Sequence, residues 1–548
     1  MPLLYTRMNM KKENIVIWGL AALFAVMMSI PYIIPHTGFM ALFGIIPLLC
    51  MERIADLTGK KRIWKYHYTA FVLWNAITTF WVCNATIGGG IFAILANSLQ
   101  MSVVFGLFRL SKKKFRGSLP YIFLAAMWIA WERFYFDAEI SWPWLVLGNS
   151  FARSTWAIQW YEFTGTLGGS LWIWASNLGL FGLLVSLSDG SIFRWNGKAK
   201  IAAVTGYAGM LILPFVISPV IGSRYKNAMN EGEQLPVIIV QPNIDPYNKF
   251  QALTQEQQNA ILEGHIKESL KDREDGTVLI VAPETFTSDI ITGQYDRSRT
   301  WRRFTSLLKE YSDANMVFGA TSYDYIQAEE RPSATARHIK DDHWVESHNS
   351  ALMIDGSERT EIFHKSRLVV GVEKTPYPAI FCRLDDLLGG VMGRCVGQDE
   401  ISLLNVRGTD GVNIPVGCAV CYESIYGEYY TGYIRKGAEA MTIITNDAWW
   451  GDTPGYRQHL SYASLRAIET RRAIARCANT GISAIISPSG EIIHPTPWWE
   501  AAVIKGHIPL RDDITFFVAH GDIAGRICTF VFCLLLLSLA VRFITGKN

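Results

Sequence analysis

The sequence predicts a polytopic α-helical membrane domain of about eight spans carrying one large α/β domain outside the cytoplasm. Three observations predict it. Half of the 548 residues are hydrophobic, aromatics reach 13%, and the mean hydropathy is +0.16, high for a water-soluble enzyme. Charge is segregated: uncharged runs fill the first ~220 residues, charged residues pepper the middle, and a last apolar run closes the chain. The basic residues gather beside the apolar runs. A net charge of +3 distributed in this way points away from nucleic acid and toward a membrane.

The spans follow in order. Asn14 to Met51 carries no Asp, Glu, Lys or Arg, and Pro31 and Pro35 divide it into two. Tyr66 to Phe108 is also uncharged, with Gly88-Gly89-Gly90 as the expected turn between spans three and four. Leu119 to Trp131, Phe163 to Ser188, Ile201 to Ser223 and Ile527 to Val541 supply the rest, most of them near the ~20 residues a bilayer core requires. The first span leads straight into another and shows no small-residue cleavage site, so a cleaved signal peptide is not expected.

Loop charge sets the orientation. Lys11 and Lys12, the group from Arg53 to Lys65, the group from Arg109 to Arg116, the group from Arg194 to Lys200, and Arg542 with Lys547 alternate with loops that are nearly free of cations. Basic loops stay in the cytoplasm, which puts the amino terminus inside and residues 224–523 outside. The expected domains are 1–223 (seven spans), 224–523 (catalytic) and 524–548 (the last span and tail). Glu132-Arg133 at a helix end reads as an ion pair that fixes packing. The aromatic stretch Trp142-Pro143-Trp144-Leu145 reads as a headgroup anchor or the rim of a lipid entrance.

From Leu235 the pattern changes to short β-rich runs separated by helical ones, an α/β domain with helices covering its sheets. Strands are expected at 237–241, 277–282, 315–320, 350–354, 416–424, 441–445 and 483–487. Helices are expected at 255–271, 302–311, 430–436 and from Tyr456 to about Ala478. Ala328 to Asp342 is polar and reads as a mobile surface loop.

Val416-Gly417-Cys418-Ala419-Val420-Cys421-Tyr422-Glu423-Ser424 reads as a buried strand that delivers a cysteine and then a glutamate to its carboxyl end, where a packed sheet fixes the backbone and leaves the tip open. Glu284 follows another strand and Lys365 a third. If these strands are neighbours, a base, a cation and a nucleophile meet. Glu284 could take the thiol proton, and Lys365 with the Tyr422 N–H could stabilise an oxyanion. The plain alternatives are a core cysteine, a Pro-Glu turn and a solvated His-Lys loop. Cys418-x-x-Cys421 has metal or redox spacing, but there is no second CxxC, and an alternating strand points the two thiols to opposite faces. Cys418 reads as core, and His459 as a capping or packing residue. No metal, nucleotide or other cofactor is expected.

At these places the chain resembles the nitrilase superfamily, and with its spans it is similar to the bacterial apolipoprotein N-acyltransferase family. The matching pieces are Val240-Gln241-Pro242-Asn243-Ile244, Pro283-Glu284-Thr285, His364-Lys365 with Leu368-Val369, and Cys421-Tyr422-Glu423. Asn446-Asp447-Ala448-Trp449-Trp450-Gly451 with Gln458-His459, and Trp142-Pro143-Trp144-Leu145 with Gly148, match too. The resemblance implies an αββα sandwich, a Glu284–Lys365–Cys421 triad, Glu373 as a second essential carboxylate, and Tyr422 and Glu423 as supports. It also implies the reaction: a phospholipid acyl donor, a cysteine thioester, and the amine of a diacylglyceryl-cysteine lipoprotein as acceptor, at the bacterial inner membrane. The chain departs from the family pattern at Ala282, where a Trp is usual, and at Val370-Gly371-Val372 before Glu373. The residues alone leave Glu373 equally readable as a loop partner of Lys374 or Arg367. Trp449 and Trp450 suit lipid chains or domain core; the lipid-facing reading is preferred, with Trp142 as a further lipid contact. Two other functions compete: a membrane-tethered amide hydrolase using the same triad, and a non-catalytic envelope scaffold.

Overall fold

A computed structural model describes residues 10–247, 253–271, 273, 276–387 and 392–546. Lys547, one of the basic residues used for orientation, lies outside them. The chain divides into two compact units: residues 1–138, 142–223 and 520–548, and residues 139–141 and 224–519.

The first unit is helical. Six of its described segments are long and apolar enough to cross a membrane: Lys12–Ile33, Gly38–Leu57, Ile87–Ser111, Tyr161–Ser188, Gly197–Asn230 and Ile523–Ile544. Trp64–Thr79 and Leu119–Asp137 are further helices, of 16 and 19 residues. The turn expected at Gly88-Gly89-Gly90 falls earlier. Thr86 is extended and its hydroxyl accepts the Gly89 N–H, which starts the helix at Ile87 and puts all three glycines inside it. Glu132 and Arg133 do not pair as expected. Successive helical residues point different ways, so Glu132 turns inward to accept from Leu147 N and Trp128 Nε1 (2.8 and 3.1 Å), while Arg133 Nε faces Asp522 at 4.0 Å. Trp142-Pro143-Trp144 is packed rather than displayed: Trp144 is buried, Trp142 stacks on it at 5.2 Å, and Trp81 closes the cluster.

The second unit is α/β. Its strands are β1 (Gln234–Gln241), β2 (Val278–Val281), β3 (Thr287–Ile291), β4 (Ala314–Gln327), β5 (Arg337–Lys340), β6 (His343–Asp355), β7 (Thr360–His364), β8 (Leu404–Arg407), β9 (Asn413–Val420), β10 (Ala440–Thr445), β11 (Ile474–Ala478), β12 (Ala484–Ile486), β13 (Ile492–Ile493) and β14 (Ala502–Pro509). One sheet has the order β14-β1-β2-β4-β6-β5, with β3 on β4 and β7 on β6; the other runs β13-β12-β11-β10-β9-β8. The sheets share a core in which Val237, Ile239, Val281 and Val317 meet Val416, Ile443 and Ile474. Helices Gln255–Lys271 and Arg299–Glu310 cover the outer face of the first sheet through Leu262, Ile266, Phe304 and Leu308, and Gly427–Arg435 and Pro454–Thr470 cover the second. The result is αββα.

Two expectations change here. The polar run 328–342 is no free loop, because β5 pairs with β6 and β4 runs on to Gln327, making a long hairpin. The helix expected to reach Ala478 stops at Thr470. Arg471 takes a left-handed φ of 52°, and the next residues form β11 with Arg476 inside it. Arg466, Arg471, Arg472 and Arg476 are all buried, a burial that no pattern of apolar residues announces.

Candidate active site

β2 ends at Val281, and two residues on Pro283, which cannot donate to a ladder, leads into Glu284 and Thr285, where Thr285 takes a φ of 45°. Gly319 on β4 makes room for Glu284, since a Cβ there would lie 2.5 Å from the Glu284 Cα. β6 contributes Asn349, and Lys365 follows β7 with its N–H on the Asn349 carbonyl at 2.8 Å. From the other sheet, β9 delivers Cys421, whose φ of 53° is strained for a side-chain-bearing residue and turns the chain into the short helix Cys421–Ile425. β10 is parallel to β9 with Ile444 opposite Val420, which brings Thr445 beside Cys421.

These groups are connected. Lys365 Nζ lies 2.9 Å from Glu373 Oε1 and 3.3 Å from Glu284 Oε1. Asn349 Nδ2 bridges the same two oxygens at 2.7 Å (Glu284) and 2.6 Å (Glu373). Glu284 Oε2 accepts the Asn446 N–H at 3.0 Å, and Glu373 Oε2 accepts that of Val369 at 2.7 Å. Thr445 Oγ1 lies 3.2 Å from the Cys421 sulfur. Glu373 therefore does not pair with Lys374 or Arg367; it is a ligand of Lys365, and Lys374 is held by Glu139 at 2.8 Å.

The electrostatics follow. Burial alone would lower the Lys365 pKa, but Glu373, then Glu284 and Cys421, hold it well above the ordinary lysine value. Burial pushes the Cys421 thiol well up and the charge of Glu284 pushes it further, with Lys365 only partly opposing. Both influences favour the neutral thiol in the free site, and the charge of Glu284 is felt at the sulfur.

Glu423 and Tyr422, expected as supports, are both buried and hydrogen-bonded. Glu423 is fully buried and accepts from Val420 N (2.8 Å), Ser366 N (2.7 Å), Arg367 N (3.2 Å) and Tyr429 OH (2.8 Å), clasping the segment after Lys365 to the end of the cysteine strand. Tyr422 is buried and donates to the Ser141 carbonyl at 3.1 Å. Trp449 is 41% exposed and stands edge-on to Tyr247, while Trp450 packs on His459. Trp142 belongs to the helical unit. Cys418 is core, its thiol pushed up to about 12 by burial.

Sequence reasoning missed Asn349, Thr445, Asp447 and Arg476. Asn349 left a signal, a lone amide ahead of the apolar run Ala351 to Ile354, and Asp447 lay in the matching stretch Asn446 to Gly451 without a role assigned to it. Asp447 binds Arg476 at 2.6 Å and His459 at 2.9 Å. Burial would raise its carboxyl, yet these neighbours hold it well below the usual range. Cys421, Asp447 and His459 bring ligand-type atoms within 4.8 Å of one another. They do not suit a metal ion, because Arg476 already supplies the cation and the imidazole nitrogens face Asp447 on one side and Ser424 and the Cys421 carbonyl on the other.

The fold is that of the carbon–nitrogen hydrolase class: the Carbon-nitrogen hydrolase family model matches residues 237–513, and the Apolipoprotein N-acyltransferase N-terminal domain model matches residues 21–179. An apolipoprotein N-acyltransferase of Chlorobaculum tepidum is 30% identical over 523 residues, covering 92% of this chain and 93% of its own length. One from Geobacter metallireducens is 25% identical, covering 84% of this chain and 82% of its own. The solved structure of Saccharomyces cerevisiae Nit3, of the nitrilase superfamily, aligns with a TM-score of 0.37 at 15% identity, covering 50% of this chain and 90% of that one. The chain belongs to the apolipoprotein N-acyltransferase family.

Proposed function

We propose that the protein N-acylates lipoproteins by two-step transfer through Cys421. Residues 1–223 and 524–548 hold it in the bacterial inner membrane by eight spans, with 224–523 on the periplasmic side. Glu284 takes the Cys421 proton as the sulfur attacks a phospholipid ester carbonyl, and Lys365 with the Tyr422 N–H stabilises the oxyanion. The C–O bond breaks, the proton passes from Glu284 to the leaving lysophospholipid oxygen, and a thioester remains. The α-amine of the diacylglyceryl-cysteine then attacks that carbonyl. Glu284 accepts the amine proton, the C–S bond breaks, and the sulfur recovers a proton. Asn349 Oδ1, buried without a partner among the described residues, is placed to accept an N–H of the incoming amine.

One observation carries the reading: Glu284 has each oxygen held by a fixed donor, in an environment where the Cys421 thiol is neutral and needs a base. Purified protein is incubated with phospholipid and examined by mass spectrometry for an acyl adduct on Cys421. An adduct discharged by a lipopeptide amine supports transfer. Discharge by water alone makes the protein an amide-hydrolase-like enzyme, and no adduct favours a scaffold. Cys421→Ser should abolish the adduct while Cys418→Ser keeps it; equal loss would mean the wrong sulfur was chosen.

A further inference from the structure

The helical unit contains a cavity of about 750 Å³ between the start of Met10–Ile33, the start of Trp64–Thr79 and the end of Ile87–Ser111. Lys60, Lys61, Arg62, Lys65 and Arg109 line it, and no carboxylate does. Basic residues beside spans ordinarily serve only to orient the chain. Two features distinguish this group. Compensation is uneven: Glu13 holds Lys60 at 3.0 Å, and Glu52 and Asp56 lie 3.6 and 3.5 Å from Arg109. Among the described residues no carboxylate lies within ion-pair distance of Lys61, Arg62 or Lys65. Part of the wall is fixed: Lys60 Nζ and Tyr66 OH both bond Asn14 Oδ1 (2.7 and 2.8 Å), Arg109 Nη1 bonds the Lys61 carbonyl at 3.2 Å, and Lys65 Nζ lies 5.0 Å from the Tyr66 ring centre, while the Lys61 and Arg62 side chains are exposed. Trp64 stacks on Tyr68 at 4.7 Å and stays half exposed at the rim, the placement of an indole at headgroup level. The first turn of its helix has no side-chain cap, so its N–H dipoles add to the positive field.

We propose that this cavity binds the phosphate-bearing headgroup of an anionic phospholipid, with Lys61, Arg62 and Lys65 facing the phosphate oxygens and Trp64 against the lipid body. The site does not depend on the acyl-transfer chemistry. The full chain carrying Cys421→Ser, so that no lipid is consumed, is purified in non-ionic detergent and titrated with phosphatidylglycerol or phosphatidylcholine under native mass spectrometry. Phosphatidylglycerol should be retained preferentially. Lys61→Ala with Arg62→Ala and Lys65→Ala should weaken it about 100-fold, at about fivefold per cation. Phosphatidylcholine binding and unfolding temperature should not change. Lys61→Arg with Lys65→Arg should keep the affinity. Equal retention of the two lipids, or an unaffected triple variant, overturns the proposal. A salt titration of the chain without these three substitutions is a check independent of them, since retention insensitive to ionic strength also overturns it. Inorganic phosphate is the last arm: phosphate binding as tightly as the lipid would assign the cavity to a soluble anion instead.

Discussion

At the scale of single residues, the site is governed by an excess of negative charge around one ammonium. Glu284 and Glu373 share Lys365, and burial, then the charge of Glu284, favour the protonated thiol of Cys421. Alkylation of Cys421 by a neutral reagent should therefore be slow at pH 7.5 and rise through pH 9; a rate already at its plateau below pH 7 would contradict this. Glu373→Gln removes one of the two carboxylates that hold the ammonium. It should lower kcat at least tenfold with little change in KM, whereas unchanged kcat would reduce Glu373 to a loop contact. His364, its ring 4.2 Å from that of His348 and tilted 30° to it, gives a pH signature in stability. Burial, and then the charge of His348, lower it to about 4. The unfolded chain binds that proton near pH 6.5 and the folded one resists it. This contribution is complete above pH 6.5 and is lost as pH falls toward 4. His364→Gln should flatten the decline of unfolding temperature across that window.

At the scale of elements, close approach and buried ion pairs decide what the strands can present. Gly319 lets β4 pass close to Glu284, and a Cβ would meet backbone rather than a side chain that could rotate away. Gly319→Ala should fold with a loss of about 1–3 kcal/mol and push Glu284 off its partners, so activity should fall far more than stability. The β10–β11 pair depends on Arg476 and Asp447, both buried. Asp447→Asn leaves a guanidinium uncompensated in the interior and should cost about 3–5 kcal/mol, measurable by denaturant unfolding. A loss below 1 kcal/mol would mean that Arg476 finds other partners.

At the scale of the whole molecule, the orientation of the chain is open to direct test. A cysteine placed at Asp341, at an exposed turn of the β5–β6 hairpin, should react with a membrane-impermeant maleimide in intact spheroplasts. Reaction only after permeabilisation would place the catalytic unit in the cytoplasm. The two units also differ in what makes them legible. Apolar runs are long enough to read as spans one by one, but Trp64–Thr79 and Leu119–Asp137 show that a helix need not be both long and apolar throughout.

By itself the sequence determined the layout: apolar runs separated by basic loops, then alternating strands and helices. It also determined the three strand ends that carry Glu284, Lys365 and Cys421, because solvent transfer and strand periodicity act on neighbouring residues and leave a local imprint. What only the tertiary structure decided is how those ends are partnered. Glu373 turns to Lys365 rather than Lys374, Asn349 bridges two carboxylates, and Arg476 becomes a strand residue paired with Asp447. Each of these is a polar contact between residues that lie from eight to 65 positions apart, favourable only once both partners have lost water in the same place. Nothing in the order of residues along the chain records that shared burial.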